Sequence, residues 1–543
     1  MSSTITPPPL RGRSANEVSR EGGTHPLPFV SRLTKLLWPG PALFVLFWLA
    51  LLFGGSRFLR DPGQFWHTTV GDKILTEGFF DTDPYTFSHG GERWIPHQWL
   101  GEVAMALVHR VSGFDGLLAV STAIIAALYA WLGAKFIRTG LHPVFAVGVT
   151  LLTIAAAATH FHVRPHLFTM IGMAATMHAA VEFENRRIGW KSLLWLIPLY
   201  LVWTNTHGGM LGGLTTLVMA GMGWAVWPPA SPTGEKLGLK GRIRLLLPLA
   251  LIGAACGLTA FVTPYGTGIF ETWLYINNGM AKLPEIIAEH ARLNFADPRA
   301  WSLLGLAAVY LTLLAATLPR RPQVAWLLPL FWLAQGMLRV RHGALFAPVA
   351  LLAMIDLWPH TCFARWLAAK RPDVYAPPAK PAGNVFLPVF ITAVIAVAVS
   401  LGCQWLGVGV PLVGKGTAKF DPTLWPTDLH DDIKAIEPKP GERNRIFCEY
   451  IYGGYLIYHA PGFKVFVDDR CELFGDDWLI EFVKADGEGT TEAMTRWEQQ
   501  FGQFDFALTT TTDRDAGYDW YFRTSPEWKV VRRTDTATLY RRK

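Results

Sequence analysis

Residues 385–409 read Val385-Phe-Leu-Pro-Val-Phe-Ile-Thr-Ala-Val-Ile-Ala-Val-Ala-Val-Ser-Leu-Gly-Cys-Gln-Trp-Leu-Gly-Val-Gly409, with no charged side chain. A bilayer core needs about 20 apolar helical residues, and this run supplies them without interruption. Working outward, ten more such runs lie near 37–55, 116–136, 142–159, 167–183, 192–205, 209–227, 243–264, 300–318, 323–338 and 342–358. The fifth and ninth are the shortest. The composition agrees: of 543 residues, 51% are hydrophobic and only 17% charged, against roughly 25% charged in a soluble domain. The 23 Trp fit a chain with two membrane interfaces. The sequence therefore predicts a mainly α, polytopic transmembrane bundle of about eleven spans.

The charges fix an expected orientation. Lys and Arg gather on the cytoplasmic side. With the N-terminus inside, alternate loops carry Arg32/Lys35, Lys135/Arg138, Arg186/Arg187/Lys191, Lys236/Lys240/Arg242/Arg244, Arg320/Arg321 and Arg365/Lys370/Arg371/Lys380. Eleven spans then leave the C-terminus outside. The expected organisation is a disordered basic cytoplasmic tail (1–35), a transmembrane domain (36–410) with a large first outer loop (56–115), and an extracytoplasmic α/β domain (411–543). The linker 359–384, with Pro372, Pro377, Pro378 and Pro381, reads as a cytoplasmic hinge. The net charge of +7 is spread over short loops, so no nucleic-acid partner is expected. Residues 1–35 are polar and basic, without a signal-peptide pattern.

In the outer domain, Arg445-Ile-Phe-Cys-Glu449, Lys464-Val-Phe-Val-Asp468 and Phe504-Asp-Phe-Ala-Leu508 read as strands, and Trp528–Arg542 as a closing hairpin. Helical stretches are expected at 454–459 and 475–485. Asp468-Asp469-Arg470 stands at a strand's C-terminal end, where α/β sheets place ligands; a buried ion pair holding the loop is the other reading. The five cysteines show no C-x-x-C spacing. Cys448 and Cys471 each end a strand, so a disulfide between them is feasible outside the cell.

The outer side concentrates ionisable groups. The first loop carries Asp61, His67, Asp83, His97 and Glu102; later short connections carry His160, His162, Arg164, His166, His207, Arg339, Arg341 and His342. Charge at membrane depth is costly and usually faces a cavity or a partner. The connections 160–166, 206–209 and 339–342 are too brief to wander over a surface, so a shared polar chamber above the bundle is expected. Snorkelling and helix capping are the plainer explanation for any one of these residues. Gly208-Gly209 fits either close helix packing or backbone N–H groups open to an anion.

Three sharper motifs carry little. Gly409-Val-Pro-Leu-Val-Gly-Lys-Gly416 ends its Walker-like spacing in Gly and follows an apolar span. His160/His162/His166 lack a matching His pair at depth on another span, which argues against haem. Asp81-Thr-Asp83 before Pro84 suits a turn or a divalent ion. A divalent metal ion thus stands as an optional cofactor, with no ligand set assigned.

The first loop, through Asp61-Pro-Gly-Gln-Phe-Trp-His67, Asp83-Pro-Tyr-Thr-Phe87 and Trp94-Ile-Pro-His-Gln-Trp-Leu-Gly-Glu102, resembles that of polytopic bacterial membrane proteins with the GT-C glycosyltransferase architecture. Arg339-Val-Arg-His-Gly-Ala-Leu-Phe346, Tyr452-Gly-Gly-Tyr-Leu-Ile457 and Lys464-Val-Phe-Val-Asp-Asp-Arg470 resemble the same group. The resemblance implies a transferase of the inner membrane using a polyprenyl-phosphate sugar, membrane lipid and an extracytoplasmic acceptor. It makes Asp61 the candidate base, with His67, Asp83 and Glu102 as further catalytic candidates. His97, His162, Arg164, His166, His207, Arg339, Arg341 and His342 are the substrate-binding candidates. Better-known relatives pair two acidic residues where this chain has Asp61-Pro62. A lipid-linked substrate transporter or flippase, or a non-catalytic scaffold, are the alternative readings; spans nearly free of mid-membrane charge disfavour transport.

Overall fold

Every apolar run found in the sequence is helical in the computed structural model, which describes residues 38–229, 238–378 and 383–543. The tail 1–35, Lys236, Lys380 and Pro381 lie outside the described residues. The helices used below are α1 (Gly40–Phe53), α2 (Gly63–Glu77), α3 (Trp99–Ile137), α4 (Pro143–Ala157), α5 (Leu167–Glu184), α6 (Leu196–Thr206), α7 (Met210–Val226) and α8 (Leu239–Leu258), followed by α9 (Ala300–Ala315), α10 (Val324–Leu338), α11 (Gly343–Leu357) and α12 (Phe386–Trp405). Among the described residues, the stretches Trp99–Ile137, Pro143–His160, Leu239–Phe261, Val340–His360 and Phe386–Trp405 are long and apolar enough to cross a membrane. Several shorter apolar helices accompany them. The chain is a multi-pass membrane protein.

Helix α12 shows how sequence sets one span. Asn384 Oδ1 accepts the Phe386 N–H at 2.9 Å, satisfying a donor that the helix start leaves open. Pro388 falls in the first turn, where its missing N–H costs nothing. Gly407, at φ 74°, ends the element. Only Val389, Ala393, Ser400 and Gln404 are buried, a single stripe that packs on α1 and α3. Much of the rest is apolar and exposed, including Phe390, Ile391, Val394, Ile395 and Val399, as a lipid-facing surface should be. By contrast, every residue of α11 except Leu345 is buried, and α3, α4, α5, α9 and α10 all touch it. It is the axis of the bundle.

The structure departs from the sequence reading in the first loop. Helix α3 begins at Trp99, well before the expected 116, and is broken at Gly113 (φ 60°, ψ −150°), a conformation essentially reserved to glycine. The loop is itself ordered around α2. Its apolar side chains Phe65, Trp66, Val70 and Ile74 share one core with the C-terminal sheet, so residues 39–543 form one compact unit.

That sheet has five strands: β1 (Arg445–Cys448), β2 (Lys464–Val465), β3 (Phe506–Thr510), β4 (Trp528–Arg533) and β5 (Ala537–Arg542). Their order is β2-β1-β3-β5-β4. The first three are parallel and the closing hairpin β4–β5 is antiparallel. Helices α13 (Tyr450–His459), α14 (Asp476–Ala485), α15 (Thr490–Phe501) and α16 (Gly517–Thr524) accompany it. An isolated bridge between Thr86 and Val465 attaches the first loop to the β2 edge. The two cysteines considered for a disulfide are both free. Cys448 Sγ lies 3.2 Å from Val467 O, and Cys471 Sγ lies 3.0 Å from the Tyr450 hydroxyl, so each thiol has a different neighbour.

At the other end of the bundle, the Glu184 carboxylate accepts Val324 N–H and Ala325 N–H, both at 2.7 Å. This caps α10 with the end of α5. Arg187, Asn185 and Trp326 all bond Asp356 nearby.

Candidate active site

Where the bundle meets the α/β layer lies a cavity of about 720 Å³, within the range that binds small ligands. Its walls come from short connections whose geometry follows from their sequence. Asp61 precedes α2, and its Oδ1 accepts Gly63 N–H at 2.8 Å. A Cβ at position 63 would lie 2.8 Å from Asp61 Oδ1 and 3.0 Å from Arg164 Nε, so a larger residue there would push on this pair. Arg164, from the connection between α4 and α5, donates from Nη1 to Asp61 Oδ2 at 3.1 Å. Burial pushes the Asp61 carboxyl up, but Arg164 and His162 more than offset it and hold it below the usual value. Asp61 is therefore ionised at neutral pH.

The same connection supplies His160, His162 and His166. Burial drives His166 down to about 3, so it is neutral. His207 stands in the three-residue link between α6 and α7. Its Nδ1 accepts Gly209 N–H at 2.9 Å and sits 2.9 Å from Thr169 Oγ1, which places its ring proton on Nε2. A Cβ at Gly209 would meet Thr169 Oγ1 at 2.3 Å, and one at Gly208 would meet Trp273 Nε1 at 2.6 Å. Close packing therefore accounts for that glycine pair. Arg341, just ahead of α11, donates to His290 Nε2 at 2.7 Å, and His342 lines the cavity beside it.

Of the substrate-binding candidates, His97, His162, Arg164, His166, His207, Arg341 and His342 line this one cavity, as does Asp61. Arg339 is not on its wall. His67, Asp83 and Glu102 stand behind it and are occupied otherwise. His67 Nδ1 lies 2.9 Å from Glu102 Oε1, with both side chains buried, and burial holds His67 well below its usual value. Asp83 bonds Thr86 Oγ1 at 2.5 Å through one oxygen and Arg470 Nη1 at 2.7 Å through the other. Both Asp83 oxygens thus serve to hold the turn to Arg470.

Several wall residues went unread in the sequence or were read otherwise. Trp66, on α2, donates from Nε1 to Asp469 Oδ1 at 2.7 Å, and Glu472 accepts Trp94 Nε1–H at 2.9 Å. Glu289, in the loop before α9, also faces the cavity. Its one sequence signal was its place beside His290. Asp61, His162 and Glu289 present ligand atoms within 4.8 Å of one another.

A helical bundle carrying a small mixed sheet has counterparts among solved structures. The chain is similar in fold to an oligosaccharyltransferase. The archaeal oligosaccharyltransferase AglB from Archaeoglobus fulgidus, in complex with an inhibitory peptide and a dolichol-phosphate, aligns with a TM-score of 0.50 and 10% identity, over 88% of this chain and 70% of that one. The A. fulgidus enzyme tethered to an acceptor peptide containing the NVT sequon gives 0.49 and 11% over the same shares. No family model and no curated protein sequence matches the chain. The likeness is one of fold, and the chemistry has to be argued from the cavity.

Proposed function

We propose that this protein is a membrane glycosyltransferase that moves a sugar from a polyprenyl-phosphate donor to an extracytoplasmic acceptor. The observation that carries the reading is the ionised Asp61 facing the same cavity as Arg164, His207 and Arg341. Transfer needs a group to take the acceptor's proton and fixed positive charge for the departing phosphate. Asp61 supplies the first. Its ordinary carboxylate is a weak base, so proton transfer runs in concert with sugar departure. Arg341 and Arg164 supply the second, since a guanidinium fork matches phosphate oxygens, and the Nε2–H of His207 adds a donor. The AglB structure holds a dolichol-phosphate, a lipid phosphate of the class proposed here.

Asp61, His162 and Glu289 would hold a divalent cation. The donor set fits: two carboxylates and an imidazole suit Mn²⁺ or Zn²⁺, and His162 Nδ1 is buried without a hydrogen-bond partner. Bound there, the ion would supply positive charge for the leaving phosphate. The reading keeps the bundle (36–410) in the inner membrane and the α/β domain (411–543) outside the cytoplasm.

Incubating the purified protein with several polyprenyl-phosphate sugars tests the reading. Turnover supports it. Lipid movement without sugar transfer would select a flippase instead.

A further inference from the structure

The cavity has two unlike walls. The bundle side presents Arg341 and the histidines around it; the α/β side presents Asp469 and Glu472. The acidic wall follows from how the chain is fastened after β2. Arg470 donates to Asp468 from Nε at 2.8 Å and from Nη2 at 2.6 Å, and to Asp83 from Nη1 at 2.7 Å. All three side chains are fully buried, and the Arg470 guanidinium lies 4.5 Å over the Trp94 ring. With residues 468 and 470 committed to that pair, Asp469 between them is left to face the cavity.

Each wall carboxyl is held by one indole through one oxygen; burial and the nearby Asp61 charge raise the Asp469 carboxyl well above the usual range, so it presents a neutral acid to the cavity. Asp469 Oδ1 accepts Trp66 Nε1–H, and Glu472 Oε1 accepts Trp94 Nε1–H. Among the described residues, no protein donor bonds Asp469 Oδ2 or Glu472 Oε2. Beside them stands His97, only 8% exposed, with Nδ1 at 3.8 Å from Glu472 Oε1 and without a hydrogen-bond partner. A buried imidazole nitrogen with nothing to bond normally has a ligand or water to meet. A neutral Asp469 acid, an oriented Glu472 oxygen and a half-satisfied imidazole, across from the arginine-bearing wall, make a place for the other substrate.

We propose that Asp469 and Glu472, with His97, form the acceptor subsite. They bind an acceptor through its O–H or N–H donors and disfavour one carrying an anionic group at that point. The proposal rests on the transferase reading for the word acceptor, but the selectivity it predicts is independent of turnover. Asp469→Asn and Glu472→Gln keep an oxygen for Trp66 and Trp94, so both variants should fold.

The test uses the full chain in lipid nanodiscs and measures binding of glucosamine, glucose and glucuronate by saturation-transfer NMR at mildly acidic pH, and of a polyprenyl phosphate by thermal shift. Glucosamine and glucose should bind, and glucuronate roughly tenfold more weakly, the size of one charge-assisted hydrogen bond. Glu472→Gln should lose about tenfold toward glucosamine, and Asp469→Asn less than that, while the polyprenyl-phosphate shift of both stays that of the wild type. Equal binding of glucuronate and glucosamine, binding of none of the three, or variants unchanged toward all of them would overturn the proposal. So would variants that lose polyprenyl phosphate as much as sugar. A wild type with hexose selectivity but no polyprenyl-phosphate shift would sink the transferase reading and leave the subsite standing.

Discussion

Asp61 Oδ2 lies 3.1 Å from Arg164 Nη1, joining the residue that precedes α2 to the connection between α4 and α5. The pair keeps a carboxylate ionised in a site that would otherwise favour its neutral form. Asp61→Asn and Arg341→Ala should each lower sugar transfer by about 10²-fold or more, with membrane insertion and helix content unchanged. Transfer assays beside circular dichroism check this; near-wild-type turnover by both variants removes the assigned roles.

Cation binding has its own readout. Adding MnCl₂ to the purified protein should raise its melting temperature, because binding to the folded state alone is stabilising. Asp61→Asn, His162→Ala and Glu289→Ala should each abolish that rise. Chelation should lower turnover in the wild type. A rise that persists in all three variants places any ion elsewhere.

Arg470→Met would strand Asp468 and Asp83 as buried charges without a partner. Breaking such a pair costs about 3–5 kcal/mol, and loss of folded protein on size-exclusion chromatography is the expected result. Asp83→Asn should be milder, since the amide oxygen still accepts from Arg470. If Arg470→Met proves as stable as the wild type, the bonds of Arg470 to Asp468 and Asp83 are not what fastens Asp469.

Gly454 sits where α13 presses on the chain before α2. A Cβ there would lie 2.5 Å from Pro62 O, a contact with backbone that only movement can relieve. Gly454→Ala should displace the Asp61 segment and reduce transfer at least tenfold, with stability falling by about 1–3 kcal/mol. Full activity in this variant would show that the segment tolerates the shift.

Glu449 gives a pH signature. Burial raises its carboxyl from 4.5 to about 7, against the opposing bonds from Thr510. Between these values the folded chain holds a proton that the unfolded chain has released. Its contribution is complete below pH 4.5, declines as pH rises to about 7, and is constant above. The loss is about 1–2 kcal/mol, allowing for a partly exposed carboxyl. Glu449→Gln should flatten melting temperature across that window; an unchanged slope in the variant assigns the dependence to another group.

The helices were legible because their cause is local: twenty apolar residues in a row have one way to satisfy their backbone in lipid, and α12 shows it with its Asn384 start and Gly407 stop. The three parallel strands and the hairpin were legible from alternation and short apolar runs. Helix α2 was not, because its apolar side chains serve a core completed by residues some 400 positions later, such as Tyr455 and Val465.

For the cavity, the sequence determined which polar residues sit on short connections: His207 in a three-residue link, and Arg341 at the head of a buried helix. Only the tertiary structure decided which of them share a space. It set Asp61 on Arg164, turned Asp83 away toward Arg470, paired His67 with Glu102, and brought in Glu289 and Asp469. Such choices depend on contacts between residues distant in the chain, where burial makes each unpaired charge expensive. No local pattern encodes them.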